Sequence, residues 1–227
     1  RQMCIRDSYI TYRDYYTAEI GNPDIRPEYI HSYELNYKKN IGEQVLQSSL
    51  FYRSRKDKIE RLRVPYEAGV TLDSMANVGN DHALGMELSG QFIVNKWWNL
   101  NVNGNVYYYK VVNNINAGGK EETSTNYDIT VNNLLRICKN TRIQLDGNFV
   151  GPSVTTQGRS DSFWFVNLAI RQQWFGSNLQ STLSFRDIFN SARYKNDITT
   201  PNLESVTHIR PKFPVITLSI SLSLIHI

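Results

Sequence analysis

The stretch Trp98-Asn-Leu-Asn-Val-Asn-Gly-Asn-Val-Tyr-Tyr-Tyr109 alternates strictly between two kinds of residue. The even positions carry Trp, Leu, Val, Gly, Val and Tyr, whereas the odd positions carry four asparagines followed by two tyrosines. Side chains alternate across a strand, so one face of this segment is apolar and the other is a column of amides. A helix would mix both sets around its circumference, and the pattern therefore predicts a strand.

This strand is unusually long. Strands of globular proteins usually contain about 5–6 residues, whereas a tilted strand that spans a bilayer needs about 9–11 residues. Two interpretations follow from the two faces. The apolar face packs on a protein core with the amides in water, or it faces lipid with the amides lining a wet interior.

The composition is compatible with a membrane barrel. The chain has 227 residues, of which 41% are hydrophobic and 12% aromatic, and its mean hydropathy of −0.43 looks soluble. That index misleads for a barrel, in which only alternate residues need to be apolar. No apolar run approaches the length of a transmembrane helix. The net charge of +4 indicates no polyanionic partner, and two cysteines, Cys4 and Cys138, are too few for a disulfide framework.

Eight further segments repeat the alternation, and the connections between them alternate in length. The segments lie at about 29–38, 46–53, 84–94, 127–137, 142–149, 164–174, 179–186 and 216–224. Short turns are predicted near 39–43, 95–97, 139–141 and 176–178, and long irregular connections near 54–81, 111–126, 151–158 and 187–214. No clean period is found from Tyr9 to Gly21. Alternating short turns and long loops are typical of outer-membrane barrels, whereas a soluble sandwich has more even spacing.

Aromatic residues on the apolar face fall into two groups. Tyr37, Trp98 and Trp174 lie beside the short turns. The second group lies toward the long connections and contains Tyr52, Tyr108, Tyr127, Phe149, Trp164 and Phe185. Two aromatic girdles around an aliphatic band mark a membrane-spanning barrel. The sequence therefore predicts an all-β, antiparallel, up-and-down transmembrane barrel portion of about nine strands.

Four motifs resemble those of TonB-dependent outer-membrane receptors, in the same order along the chain. Gly21-Asn-Pro-Asp-Ile-Arg-Pro-Glu28 resembles a hallmark of their barrels, with Ile25 where Leu is usual. Gly85-Met-Glu-Leu88 looks like a strand opening of this family, and Asp187-Ile-Phe-Asn190 like the end of its penultimate strand. Gly151-Pro-Ser-Val-Thr-Thr-Gln-Gly158 is similar to a loop in the Bacteroidetes-type branch.

The resemblance implies a 22-stranded barrel around an N-terminal plug, of which residues 9–224 would form roughly the last nine strands. It implies an outer-membrane receptor that imports a bulky ligand (siderophore, glycan or peptide) with energy from the TonB complex. The implied partners are the plug of the same parent chain, the TonB complex, membrane lipid and lipopolysaccharide, and the ligand. A passive porin-like channel and a structural or adhesive surface barrel are the alternatives.

Both ends look foreign to such a barrel. Residues 1–8 and the final residues 225–227 resemble translated sequencing-adapter DNA, and we exclude them from fold reasoning. Within the family the last strand closes on an aromatic residue, whereas here His226 breaks the alternation.

No residue is predicted to be catalytic, to bind a cofactor or to bind a metal, and we expect a protein that is not an enzyme. The chain contains no nucleophile-elbow, P-loop, dinucleotide-binding or metalloprotease motif. His31, His82, His208 and His226 are isolated in sequence. Seven charged residues on the polar face could line a catalytic cleft. The preferred interpretation is that they are hydrated residues of the lumen that meet a plug. They are Glu34, Glu87, Asp128, Arg136, Arg142, Asp146 and Arg171.

A basic cluster follows Tyr52 on the long-connection side. Its members are Arg53, Arg55, Lys56, Lys58, Arg61 and Arg63. Such side chains could pair with lipopolysaccharide phosphates, or they could lie in a solvated loop. Asp57 and Glu60 interrupt the run, which argues against nucleic acid as a partner. The hallmark at Gly21–Glu28 is expected to be a structural turn.

Overall fold

The computed structural model describes residues 9–113, 120–175, 178–200, 203–212 and 214–223. Within these ranges the chain forms strands and no α-helix. The first strands are β1 (Ile10–Asp14), β2 (Thr17–Ile20), β3 (Tyr29–Ile41), β4 (Gln44–Glu67), β5 (Val70–Asn95), β6 (Trp98–Asn113), β7 (Lys120–Arg136) and β8 (Thr141–Val150). They are followed by β9 (Ser153–Val154), β10 (Gly158–Ser160), β11 (Phe163–Trp174), β12 (Leu179–Arg186), β13 (Tyr194–Thr200), β14 (Leu203–Ile209) and β15 (Val215–Leu222).

Nine of these strands form an antiparallel meander. The order is β3, β4, β5, β6, β7, β8, β11, β12 and β15, each paired with the next. This confirms the predicted all-β, antiparallel meander. Short turns lie at 42–43, 96–97 and 137–140, close to the predicted positions, and the predicted turn at 176–178 lies partly outside the described residues. Gly42 has a φ of 60° in a two-residue hairpin turn, a conformation that favours glycine.

The strand register joins the apolar residues of successive strands into one face. One row across six strands contains Trp98, Leu135, Ile143, Ile170, Leu183 and Leu218, each directly opposite the next. Because the side-chain period is two, a slip of one residue at any pairing would break this row. The polar residues consequently share the opposite face.

The apolar face covers no protein core. Leu35 is 69% exposed, Leu84 59% and Leu218 63%. The buried cluster found among the described residues is small and consists of Tyr109, Val111 and Val154. Monomeric soluble proteins rarely expose contiguous apolar patches beyond about 300–600 Å². The exposed face therefore favours contact with lipid over a soluble sandwich.

The aromatic residues form the two predicted belts. Near the short turns, the Trp97 and Trp98 rings stack 6.1 Å apart. Toward the other end, Tyr33 stacks on Tyr52 at 6.4 Å and Tyr127 on Phe149 at 5.9 Å. Trp98 and Tyr108 both lie on β6, and their ten-residue separation spans about 33 Å along the strand. At a tilt of about 40° this is about 25 Å, the height of a barrel's apolar band.

The predicted irregular stretch at 54–81 is wrong. Strands β4 and β5 continue far beyond the aromatic belt and form a long hairpin that turns at 68–69. The register shifts at Arg55/Lys58 and at Pro65/Glu67. Bulges accommodate a proline without loss of the surrounding ladder. Pro65 and Gly79, which suggested a loop, are therefore absorbed within paired strands.

The segment from Tyr9 to Gly21 is also regular, although its sequence shows no period. Strands β1 and β2 form a hairpin, and β2 pairs in parallel with Thr71–Ser74 of β5. Strand β2 thus lies beside the part of β5 that precedes Gly79 in the chain. The described pairing of β5 with β6 begins at Gly79. A hairpin outside lipid needs no continuous apolar face, and Ala18 is its fully buried side chain. No two-residue period is therefore required, which explains why the sequence did not reveal the hairpin.

Two other long connections carry structure of their own. Strands β9, β10, β13 and β14 form a second sheet in the order β14, β13, β10, β9. The predicted loops at 151–158 and 187–214 are therefore partly stranded. Strands β6 and β7 also extend into the predicted loop at 111–126, of which residues 114–119 lie outside the described residues.

The main sheet does not close. Within the described residues, β3 pairs with β4 alone and β15 with β12 alone. The strands that contain Tyr33 and Leu218 are therefore open edges of the described sheet. The 22-strand count stays a prediction.

Two glycines in the meander provide a matched test of how closely neighbouring strands pack. A Cβ on Gly85 would lie 2.3 Å from the Cβ of Tyr107, whereas a Cβ on Gly147 would meet nothing within 4 Å. We expect Gly85→Ala to destabilise the barrel by about 1–3 kcal/mol through overpacking. Gly147→Ala should be neutral or stabilise it by about 0.5–1 kcal/mol. The urea midpoint in detergent micelles, followed by tryptophan fluorescence, measures both, and equal midpoints would contradict the close β5–β6 contact.

Candidate functional site

The amide column of β6 lies on the face opposite the apolar row, which we call the luminal face. The Ser89 hydroxyl donates to Asn103 Oδ1 at 2.7 Å, and Asn105 Nδ2 donates to Asp128 Oδ1 at 3.3 Å. On the next pair of strands, Asn148 Nδ2 donates to Thr130 Oγ1 at 2.8 Å. Cross-strand hydrogen bonds therefore make the luminal face a polar wall.

Three predicted luminal carboxylates lie together in an open groove. Glu34, Glu87 and Asp128 line about 690 Å³ with Asn103 and Asn105. The groove lining that the structure describes includes serines but no histidine or cysteine. Its Ser89 hydroxyl bonds to an amide oxygen and not to a base, so this arrangement holds water and polar groups without an activated nucleophile.

The three predicted luminal arginines form a separate row at the short-turn end. Arg136 lies directly opposite Arg142, and Arg142 lies directly opposite Arg171. The alternation in the sequence places all three on the polar face, but only the register of three strands shows that they are directly opposed.

At the opposite end, the segment from Gly151 to Gly158 folds over the luminal face. Val154 packs against Val111 and Tyr109 of β6. Asn113 Nδ2 donates to the Thr156 carbonyl at 2.8 Å, and the Thr156 hydroxyl donates to Glu60 of β4. The segment thus leaves β8 and reaches β4 on the inner side of the long-loop end.

Gln157 fixes the tip of this segment. Its Oε1 accepts from Arg63 N at 3.0 Å, and its Nε2 donates to Arg63 O at 3.1 Å. The Thr199 amide donates to Gln157 O at 2.8 Å, which links the tip to β13. Beside it lies a polar cavity of about 270 Å³ whose lining includes Thr155 and Asp197.

A buried carboxylate organises the base of the long hairpin. Asp81 is 1% exposed and accepts from the Tyr109 hydroxyl at 2.8 Å and from Arg55 Nε at 3.2 Å. Lys58 Nζ lies 3.4 Å from Asp81 Oδ2 and donates to the Tyr109 hydroxyl at 2.9 Å. Two cations and one hydroxyl therefore compensate the buried charge.

The predicted basic cluster lies in strand β4 and not in a solvated loop. Arg63 makes a bidentate contact with Asp73, with distances of 2.6 and 2.8 Å, and this hydrogen bond raises the pKa of its guanidinium. Arg61 lies 3.5 Å from Asp73 and from Glu19. Arg53 reaches Glu34 at 3.9 Å, and Lys56 is exposed. Contact with lipopolysaccharide stays a prediction.

The hallmark Gly21–Glu28 clamps the long hairpin. Asn22 Nδ2 donates to Met75 O at 3.1 Å, and the Ile59 amide donates to Glu28 Oε2 at 2.8 Å. The Arg26 amide donates to Asn77 Oδ1 at 2.8 Å, while Asn77 Nδ2 donates back to Arg26 O at 3.0 Å. These contacts agree with the structural role expected of the motif.

Asp187 also has a structural role, because it stabilises the turn that follows β12. Its carboxylate accepts from the amides of Ser191 and Ala192 at 3.0 and 2.9 Å. Burial acts to raise the pKa of Asp187, but these hydrogen bonds outweigh it and hold the pKa below its usual value. The Ile188 amide donates to Val166 O at 2.9 Å, so the motif also extends the pairing along β11.

Metal ligation finds no support in the described part of the chain, where no three His, Cys, Asp or Glu residues cluster suitably. His82 Nδ1 lies 3.1 Å from the Tyr52 hydroxyl, and His226 lies outside the described residues. No helix in the described ranges is long and apolar enough to cross a membrane.

Comparison with known proteins identifies a family and a solved structure of similar fold. The model of the "Outer membrane protein beta-barrel family" matches residues 7–223. The FrpB iron transporter from Neisseria meningitidis (F3-3 variant) is similar in structure, with a TM-score of 0.52 and 15% sequence identity. The match covers 82% of this chain but 30% of the transporter. No curated protein matches the chain.

Gln157→Ala tests the attachment of the inward-folded segment. The change removes two hydrogen bonds, worth about 1–3 kcal/mol together. Local opening should then rise about fivefold or more, and trypsin should cleave faster after Arg159. Gln144→Ala is the matched control, because Gln144 bonds to Asp146 on the luminal wall and not to this segment. Equal cleavage of the two variants would contradict the assigned tether.

Proposed function

This chain belongs to the outer membrane protein beta-barrel family, and from that premise we propose that it forms part of the wall of an outer-membrane transporter. The transporter imports a bulky ligand, and its energy comes from the TonB complex. Its location in the outer membrane follows from the family. The chain spans 30% of the similar iron transporter, so the activity of the whole protein is part of this proposal.

The observation that carries the proposal is an open sheet with one apolar and one polar face. Nine paired strands leave edges at β3 and β15, and unpaired edges are not tolerated in lipid. Further strands therefore complete the wall, and the barrel is wider than nine strands. A barrel of 22 strands has a lumen that must be plugged, which supports an N-terminal plug as the partner of the luminal face.

The long-loop end supplies the surfaces for ligand capture. The long hairpin of β4 and β5, the second sheet and the cavity beside Gln157 all lie beyond the aromatic belt. In outer-membrane barrels long loops face outward and short turns face the periplasm. The loop Gly151–Gly158 supports assignment to the Bacteroidetes-type branch. Chemistry on the ligand is no part of the proposal, because the luminal groove offers no activated nucleophile.

A passive channel is the second candidate. The inward fold of Gly151–Gly158, anchored by Gln157 on Arg63, would narrow an unplugged lumen. The two candidates differ in whether the lumen is closed at rest.

Planar-bilayer recording of the full-length protein distinguishes them. A plugged transporter should stay closed, and deletion of the segment preceding the barrel should produce a large, steady conductance. Ligand uptake by cells should also stop when a protonophore removes the energy source. Steady conductance of the intact protein, or uptake that survives the protonophore, would favour the passive channel and contradict the proposal.

A further inference from the structure

Three arginines face one another across neighbouring strands at the short-turn end of the luminal face. Arg136 is the last residue of β7, Arg142 is the second residue of β8, and Arg171 lies opposite Arg142 on β11. Directly opposed residues of an antiparallel pair have Cβ atoms about 4.5–5.5 Å apart. The three arginines therefore form one continuous row across β7, β8 and β11, which we call the arginine ladder.

The ladder has no carboxylate partner within the described residues. None of the three side chains makes an ion pair there. Asp146, on the same face of β8, lies four residues from Arg142, about 13 Å along the strand, and its Oδ2 accepts from Gln144 at 2.8 Å. Glu43 lines a bay of about 460 Å³ with Arg136 but forms no ion pair with it.

An uncompensated ladder is unfavourable. Like charges placed directly opposite each other destabilise a sheet. Arg142 is half-buried between the exposed Arg136 and Arg171, and partial burial reduces the screening of its charge by solvent. The same row continues through Thr182 and Ser219, which are neutral. A charged residue is therefore not required at every position of this row, and the three consecutive arginines are particular to β7, β8 and β11.

The chemistry of the ladder selects carboxylates. Guanidinium groups bind them through two parallel N–H···O bonds, a geometry that lysine does not offer. The neighbouring residues Leu135, Ile143 and Ile170 lie on the apolar face, so the ladder points away from lipid headgroups. A transported ligand would reach this end last and would compensate the charge only in transit, whereas a resident segment would do so at rest.

We propose that Arg136, Arg142 and Arg171 bind an acidic segment of the polypeptide that fills the lumen. The inference rests on the proposed plugged transporter and adds where, and through which groups, the filling segment attaches near the periplasmic end. The luminal face is charged unevenly along its depth. Asp128 of the groove lies on the same strand as Arg136 but eight residues away, about 26 Å along the strand. A fitting segment therefore presents carboxylates at the short-turn end.

Cysteine cross-linking in the full-length protein tests the contact. In a background in which Cys138 and every other native cysteine are replaced by serine, Arg142→Cys is combined with a cysteine at each Asp and Glu of the lumen-filling segment. Oxidation in membrane vesicles should give disulfides at one acidic cluster. Thr182→Cys, on the same row and face, is the control, and Asn103→Cys marks contact at mid-depth. If position 103 or 182 forms cross-links and position 142 does not, the proposed contact at the arginine ladder is wrong, whereas the plugged transporter still stands.

Charge reversal gives a second, independent readout. Arg142→Glu should raise the open-channel fraction in planar bilayers about tenfold, the change that corresponds to 1.4 kcal/mol, whereas Thr182→Glu should change it much less. Exchange of the cross-linked acidic residue for arginine should rescue Arg142→Glu. An equal open-channel fraction in the two glutamate variants, or failure of the rescue, would overturn the proposal. The three arginines would then be solvated residues without a protein partner. Absence of cross-links from positions 103, 142 and 182 would overturn the plugged transporter as well.

Discussion

A strand in hydrocarbon can leave no backbone N–H or C=O group unpaired, because no water is present to satisfy it. The spanning part of this chain obeys that constraint through long, regular pairings. Between the two aromatic belts, the described pairings of β6 with β7, β7 with β8 and β8 with β11 contain no register shift. The continuous apolar face follows from this regularity, since each pairing keeps alternate residues on the same side. The open edges at β3 and β15 follow from the same constraint and require neighbouring strands.

Beyond the aromatic belt, water and polar side chains satisfy the backbone, and the architecture changes. Register shifts, a parallel pairing and a second sheet all occur there. Buried ion pairs such as Arg63–Asp73 and the contacts of Asp81 hold the long hairpin in place of an apolar core. The hallmark Gly21–Glu28 acts on this region through Asn22, Arg26 and Glu28, so its residues fix an extended hairpin above the membrane band.

Sequence alone predicted the spanning region because lipid imposes a strict two-residue period there. The alternation in Trp98–Tyr109 identified the strand and its faces, and the aromatic residues located its ends. The period fails outside lipid, where a strand needs no continuous apolar face, and for that reason the sequence does not predict the hairpin of β1 and β2. Pro65 and Gly79 suggested a loop because a sequence does not reveal that a bulge can absorb them. The arginine ladder needed the register of three strands, and the contact of Gln157 with Arg63 joins residues 94 positions apart, which no local pattern predicts.

The two faces of β6 meet two different media, lipid and water. Val102 and Asn103 are adjacent in β6, opposite Val131 and Thr130, so their depth is nearly equal and only their face differs. Single cysteines at these positions, in the full-length protein in membranes and without other cysteines, can be treated with a lipid-confined and a water-soluble thiol reagent. Position 102 should react with the lipid-confined reagent and position 103 with the water-soluble one. Reaction of position 102 with the water-soluble reagent alone would contradict this assignment, because the apolar row would then not face lipid.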